Sequence, residues 1–177
     1  YRATNFYLTY HPLVLVDLLK MVKARLDHAR VVADVGKRKQ LPLIREYLED
    51  VQEANVKQVN NALNDLYVEE ELVEKLRTSI DNHDNFDQIG LAQKLEKHAL
   101  LEMRRVAVQV YNKNARWSQS ITLSKQDKLY KDAMETAAES EDQQLAEDLL
   151  RFFVEIKSKE CFAACLFHCY HLIRPDV

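Results

Sequence analysis

Helix starts recur along this chain at an almost constant interval of about thirty residues, and that periodicity limits the fold more than any other feature. One series falls near Pro12, Pro42, Glu71, Leu101, Leu129 and Lys159; a second lies between its members, near Leu26, Val56, Gln88, Trp117 and Gln143. The interval is kept better than residue identity, as expected where the shared demand is stacking rather than chemistry. Within the segments the apolar residues keep helical spacing. Leu100, Met103, Ala107, Val110 and Tyr111 share one face, as do Leu145, Leu149, Phe152, Phe153 and Ile156. No stretch sustains the alternation of a half-buried strand. With two glycines and three prolines in 177 residues, the chain also lacks the turn residues of an all-β sandwich or barrel.

Local signals agree with this reading. Pro12 and Pro42 sit where a first helical turn accepts proline, because the missing N–H has no partner to lose there. Ser140, with Gln143 three positions later, makes a capping-box pattern ahead of an apolar run. An isolated helical hairpin cannot bury both of its apolar faces, so hairpins stack on their neighbours. The fold class is all-α: an α-α superhelix, a right-handed solenoid of stacked helical hairpins with about 30 residues in each. At roughly 8–10 Å between helices, about six units make a rod roughly 50–60 Å long. No linker interrupts the pattern, which predicts one continuous segment over residues 1–177, open at both ends. The start at Tyr1, in mid-pattern, predicts a fragment of a longer chain. A bundle of the same helices is the alternative.

Composition removes several function classes. A net charge of -3 argues against a nucleic-acid footprint. No apolar run has the length of a membrane span. Three cysteines crowded at one end do not make a secreted disulfide framework, and a reducing cytosol suits them better. Two glycines cannot build a phosphate loop, and HExxH, CxxC and GxSxG are absent. His83-Asp84-Asn85 reads as a polar connector within "NHDNFD" that carries a helix-capping aspartate, and Asp27-His28 has the same reading. Glu96, His98 and Glu102 scatter around a helix without converging, and Phe6, Tyr7 and Tyr10 read as core packing. No catalytic residue, metal or cofactor is expected.

Cys161, Cys165 and Cys169 lie on one side of a helix, each rotated about 40° from the last. Together they span roughly 12 Å along the axis, too far for one tetrahedral thiolate centre. Phe162, Ala163, Ala164, Leu166, Phe167, Leu172 and Ile173 surround them, and Pro175 then stops the run. A helix apolar nearly all round reads as deeply buried, with the thiols packing as small hydrophobes. A thiol contact between subunits and a metal edge are the alternatives. Charge, by contrast, is segregated. Seven Lys/Arg stand against two Asp between Lys20 and Lys39, whereas Asp65–Glu74 and Glu139–Asp148 are acidic. Such zones suit neighbours of opposite sign.

The blocks "RLDHARVV", "KQLPLIREYL", "DNFDQIGLAQKLEKHALLEMRRVA", "RWSQSITLSKQDKLYKDAMETAAES" and "KECFAACLFHCYHLIRPDV" closely resemble the clathrin heavy-chain family, in the proximal part of its leg. The resemblance covers essentially the whole chain. It implies that residues 1 to about 20 end one heavy-chain repeat, that about 20–165 form the final repeat, and that about 166–177 approach the trimerisation hub. It also implies a coat scaffold on the cytoplasmic face of coated pits and vesicles. The partners would be the clathrin light chain and other clathrin heavy chains, without nucleic acid and without membrane insertion. His11, Lys20, Lys37, Arg38, Lys39 and Trp117 would meet the light chain or a neighbouring leg; Cys161, Cys165 and Cys169 would lie near the hub. Trp117 reads more readily as buried core than as an aromatic anchor. His11 stands before Pro12 where animal members are expected to carry lysine, so a contact needing permanent charge is weakened there, histidine being mostly neutral above a pKa of about 6.5. The competing reading is a helical-repeat binding module of a vesicle tethering or trafficking complex.

Overall fold

The computed structural model describes residues 2–173, leaving aside the side chains of residues 2–5, Pro12 and Leu13. The proline stop at Pro175 and the last residues of the hub-approaching segment lie outside the described residues. The elements are α1 (Arg2–Tyr10), α2 (Pro12–Val22), α3 (His28–Gly36), α4 (Arg45–Val51), α5 (Lys57–Glu69) and α6 (Val73–Asn82). They continue with α7 (Gln88–Leu95), α8 (Leu101–Lys113), α9 (Trp117–Gln126), α10 (Tyr130–Glu139), α11 (Gln143–Glu155) and α12 (Lys159–His168). Both series of starts are present. Even-numbered helices from α2 to α12 make the first and odd-numbered helices from α3 to α11 the second, with a 3-10 turn at Leu41–Ile44 leading into α4. Pro12 stands in the first turn of α2, and Pro42 opens that 3-10 turn.

Short connectors in a chain so poor in glycine need an explanation. Seven non-glycine residues have positive φ: Lys39, Asn55, Glu71, Ala115, Lys128, Glu141 and Lys157. At five of these corners the next amide reaches back to a carbonyl in the last turn of the preceding helix. The bonds are Gln40 N to Val35 O, Leu72 N to Tyr67 O, Arg116 N to Tyr111 O, Leu129 N to Ser124 O and Ser158 N to Phe153 O, at 2.8 to 3.4 Å. This is the left-handed C-terminal cap usually given to glycine. Here charged and small residues adopt it, and the hydrogen bonds offset their steric cost.

Where a helix start carries a side-chain cap, the cap is acidic or a hydroxyl: Asp27 for α3, Asp87 for α7, Asp142 for α11 and Ser158 for α12. Asp27 accepts from Arg30 N at 3.2 Å and caps α3. Asp87, the last residue of "NHDNFD", accepts from Gly90 N at 3.1 Å; a Cβ on Gly90 would lie 2.3 Å from Asp87 Oδ2, so a larger residue there requires this carboxylate to turn. Ser140, in contrast, does not cap α11. Glu141 is in the left-handed region, which delays the first helical turn and makes Asp142 the cap, accepting from the amides of Gln144 and Leu145. Ser140 instead donates to Ala137 O at 2.8 Å and finishes α10.

Two further expectations are corrected. Phe6 and Tyr10 stack on each other with centroids 5.0 Å apart but are 51% and 67% exposed, so they edge the first hairpin rather than fill its core. Glu96 and His98 do not lie around a helix, because α7 ends at Leu95 and α8 begins at Leu101. They serve the connector: Glu96 accepts from Tyr111 Oη at 2.6 Å, and His98 Nδ1 accepts from Leu100 N at 3.1 Å.

The helices gather into two compact units, one through Leu91 and the other from Ala92. In the first, α2 packs on α4, α3 on α5, α4 on α5, and α5 on α6, around Leu15, Leu19, Val35, Tyr47, Leu48, Leu63 and Leu76. In the second, α8 packs on α9, α9 on α10, and α10 and α11 each on α12, around Met103, Tyr111, Ala133, Leu149, Phe153 and Cys165. Within each unit these helices meet the next one or the next but one. That is how stacked hairpins pack, and the fold is an all-α solenoid.

Polar side chains repeat the same interval. Lys20 meets Glu46 at 2.9 Å, Lys23 meets Asp50 at 2.8 Å and Lys75 meets Glu49 at 2.9 Å, over separations of 26, 27 and 26 residues. Arg45 pairs with Glu70, and Arg105 with Asp132 at 3.0 Å. These charges join one hairpin to the next. The least exposed of the pairs is Arg104 with Asp127: Arg104 Nε donates to both carboxylate oxygens, at 2.8 and 3.0 Å, and Nη1 donates to the carbonyls of His98 and Ala99. Replacing Arg104 with alanine therefore unties the α7–α8 connector from the end of α9. Arg104→Ala is expected to lower stability by about 1.5 kcal/mol, and Arg104→Lys to recover little, because lysine cannot fork. Urea unfolding measures this; equal midpoints for the lysine variant and the parent would show that the fork is unnecessary.

Candidate docking surfaces

The basic zone of the first unit divides between internal and outward work. Lys20 lies against Glu46; its pKa is raised and that of Glu46 lowered, in each case chiefly by the hydrogen bond between them. Arg38 donates from Nη1 to Thr9 Oγ1 at 2.9 Å, tying the α3 corner to α1. Lys20 and Arg38 are thus engaged in stacking. Lys37 is different: its ammonium is 76% exposed and only loosely paired, 3.8 Å from Asp34 one turn back. Lys39 occupies the left-handed position of the same corner, with φ 55, and is also exposed. The corner after α3 consequently presents two ammonium groups to solvent on a backbone fixed by hydrogen bonds from Lys39 N to Gly36 O and from Gln40 N to Val35 O.

His11 is exposed just ahead of α2, its ring 5.9 Å from Phe6 and 6.2 Å from Tyr7, so it belongs to an aromatic edge rather than to the lysine corner. Trp117 begins α9 in the second unit and is half-buried, neither core nor fully presented. The acidic zones are partly committed as well: Glu70 holds Arg45, Asp142 caps α11, and the buried Glu147 accepts from Gln143 Nε2 at 2.6 Å. Sequence reasoning missed Glu46 and Asp50 as partners of the basic zone. Their signal was available, since opposite charges stand one hairpin interval apart.

At the end of the second unit, α12 corrects the expectation of all-round burial. Cys165 and Cys169 are buried among Ala133, Met134, Ala137 and Phe153, and Cys161 is half-buried beside them. A hydrogen bond shared with Cys169, and burial after it, push the Cys165 thiol up, which keeps it protonated. Among the described residues α10 and α11 pack on one face of this helix, and its other face is exposed. Phe167 is 78% and Tyr170 75% exposed, with Leu166, Val154 and Ile156 also accessible. Beside them a groove of about 390 Å³ runs between Phe153, Val154 and Phe162, with Lys157 and Lys159 on its walls.

Among the described residues no group of three or more His, Cys, Asp or Glu is placed to hold a metal ion. No helix of the described residues is long and apolar enough to cross a membrane.

Comparison with known proteins completes this picture. Residues 19–161 match the clathrin family described as "Region in Clathrin and VPS". Over all 177 residues the chain is 60% identical to clathrin heavy chain 1 of Oryza sativa subsp. japonica, 55% identical to clathrin heavy chain 2 of Homo sapiens and 54% identical to the clathrin heavy chain of Drosophila melanogaster. It spans 10%, 11% and 10% of those proteins, respectively. A stacked-hairpin fold whose interval, corners and caps run through the whole matched region, together with identity above one half over its full length, makes this chain a member of the clathrin heavy-chain family.

Proposed function

We propose that this chain is a non-enzymatic structural segment of a clathrin coat on the cytoplasmic face of coated vesicles, and that it carries a light chain on its first unit. In this reading residues about 20–165 form one heavy-chain repeat. The observation that carries the docking assignment is the division of labour in the basic zone. Lys20, Lys23 and Arg38 hold hairpins together, whereas Lys37 and Lys39 point outward from a rigid corner. An acidic helix laid across that corner gains attraction without breaking a stacking contact. His11 belongs to the aromatic edge ahead of α2, beside Phe6 and Tyr7. The bare face of α12 is assigned to contacts with other heavy chains, with Cys165 and Cys169 supporting it from within.

The test is a titration of light chain against the heavy chain at several salt concentrations. Binding that weakens steadily as salt rises supports the assignment, since exposed charges are screened within roughly 10 Å at 0.1 M. Binding that ignores salt, or that survives loss of residues 37–39, removes the docking corner from this function.

A further inference from the structure

The interior of the stack is not uniform. The fourth and eighth residues of the second-series helices face inward along the whole chain: Val31 and Val35 in α3, Asn60 and Asn64 in α5, Leu91 and Leu95 in α7, Ser120 and Ser124 in α9, Ala146 and Leu150 in α11. All ten are buried, and polar and apolar pairs alternate. From α6 onward the first-series helices follow the same rhythm at their seventh residue, which is Ser79 in α6, Ala107 in α8, Thr136 in α10 and Cys165 in α12, all buried.

At the polar levels the side chains join three successive helices or their ends. In the first unit Gln52 Nε2, just past α4, donates to Ser79 Oγ at 2.7 Å, and Ser79 Oγ donates to Asn64 Oδ1 at 2.6 Å. In the second, Asn112 Nδ2 of α8 donates to Thr136 Oγ1 of α10 at 3.1 Å, and Thr136 lies 3.4 Å from Ser120 Oγ of α9. Gln52 and Asn112 stand about sixty residues apart, the length of two hairpins, as do Asn64 and Ser124. The polar level thus recurs after two hairpins with different wiring: the α5 member is Asn64, at the eighth position, whereas the α9 member that meets Thr136 is Ser120, at the fourth. Neither copy is saturated: among the described residues, Asn64 Nδ2 in the first, and Asn112 Oδ1 and Ser124 Oγ in the second, have no hydrogen-bond partner. A groove of about 400 Å³ opens from solvent onto Gln52 and Ser79 in the first unit, between Glu49, Tyr67 and Lys75.

We propose that these polar seams are the compliant joints of the segment, at which a helix parts from its neighbours and its backbone loosens locally while the rest of the unit stays folded. Parting an apolar level strips water-free contact from valine or leucine and gains nothing in return. Parting a polar level exchanges hydrogen bonds within the protein for hydrogen bonds to water, and water also satisfies the atoms left without partners. The groove at Gln52 and Ser79 gives water a short route in. Bending then concentrates at α6 against α4 and α5, and at α10 against α8 and α9, while the apolar levels stay closed. The proposal is independent of which partner the surface carries.

Native-state hydrogen exchange on the full-length chain tests it. Amides of α6 and α10 are expected to show protection about tenfold or more below those of α3 and α11, with little dependence on low urea, because such an opening exposes little apolar surface. Converting the first seam to apolar residues (Gln52→Leu, Asn64→Leu, Ser79→Ala) should raise α6 protection by about tenfold and leave α10 unchanged. Ser79→Ala alone, a smaller change that strands Gln52 and Asn64, should lower α6 protection instead. Uniform protection across the four helices in the parent chain, or strong urea dependence at α6, overturns the proposal whether or not the triple variant folds.

Discussion

Replacing Cys165 with aspartate is expected to lower the stability of the second unit by about 4 kcal/mol, the cost of burying a charge without a partner. The site is fully closed by Ala133, Ala137, Phe153 and their neighbours, and the thiol it holds is kept neutral. An aspartate there has its pKa raised, because the surroundings oppose the charged form. The sign of the pH dependence follows: the loss is complete above the raised pKa and shrinks as pH falls through it, since a neutral carboxyl is cheaper to bury. Cys165→Ala, which keeps the site small and apolar, should lose only about 1 kcal/mol. Urea unfolding at two pH values reads both effects. An aspartate variant with the parent's midpoint at neutral pH would mean that α12 is not packed against α10 and α11.

Reversing charge at the α3 corner should act on binding and spare the fold. Lys37→Glu with Lys39→Glu leaves the Arg38–Thr9 bond and the Lys20–Glu46 pair in place, so the melting temperature should stay near that of the parent. Light-chain affinity is expected to fall roughly thirtyfold at low salt, or about 2 kcal/mol, and the remaining binding should depend less on salt. Lys20→Glu is the informative contrast. It repels Glu46 across a hairpin junction, so its damage should register in stability before it registers in binding. Equal affinities for the doubly reversed variant and the parent would separate the basic corner from light-chain capture.

Much of this fold was legible from spacing. Each helix start read from the apolar pattern lies within a few residues of its observed place, because a stacked hairpin must renew its buried face at every unit. The cysteines were legible as packing residues from their spacing on one side of a helix, and from α6 onward Cys165 fills the seventh position held by Ser79, Ala107 and Thr136. Ser140 misled because a capping pattern records which residue is able to cap, and Glu141 shifted the helix start past it. Phe6 and Tyr10 misled because aromatic character does not say whether a neighbour covers the ring. Of the six residues expected at the docking surface, charge alone could not separate Lys20 and Arg38, which brace the stack, from Lys37 and Lys39, which face outward.

The amino-acid sequence by itself determined the all-α class and the hairpin interval, since both follow from periodicity along a single chain. Only the tertiary structure decided which partner each buried or charged group meets. Gln52, Asn64 and Ser79 become one seam only when three helices are brought together, and one face of α12 is exposed while α10 and α11 pack on the other. The physical reason is that hydrogen bonds and ion pairs form at about 3 Å in space, whatever the separation in sequence.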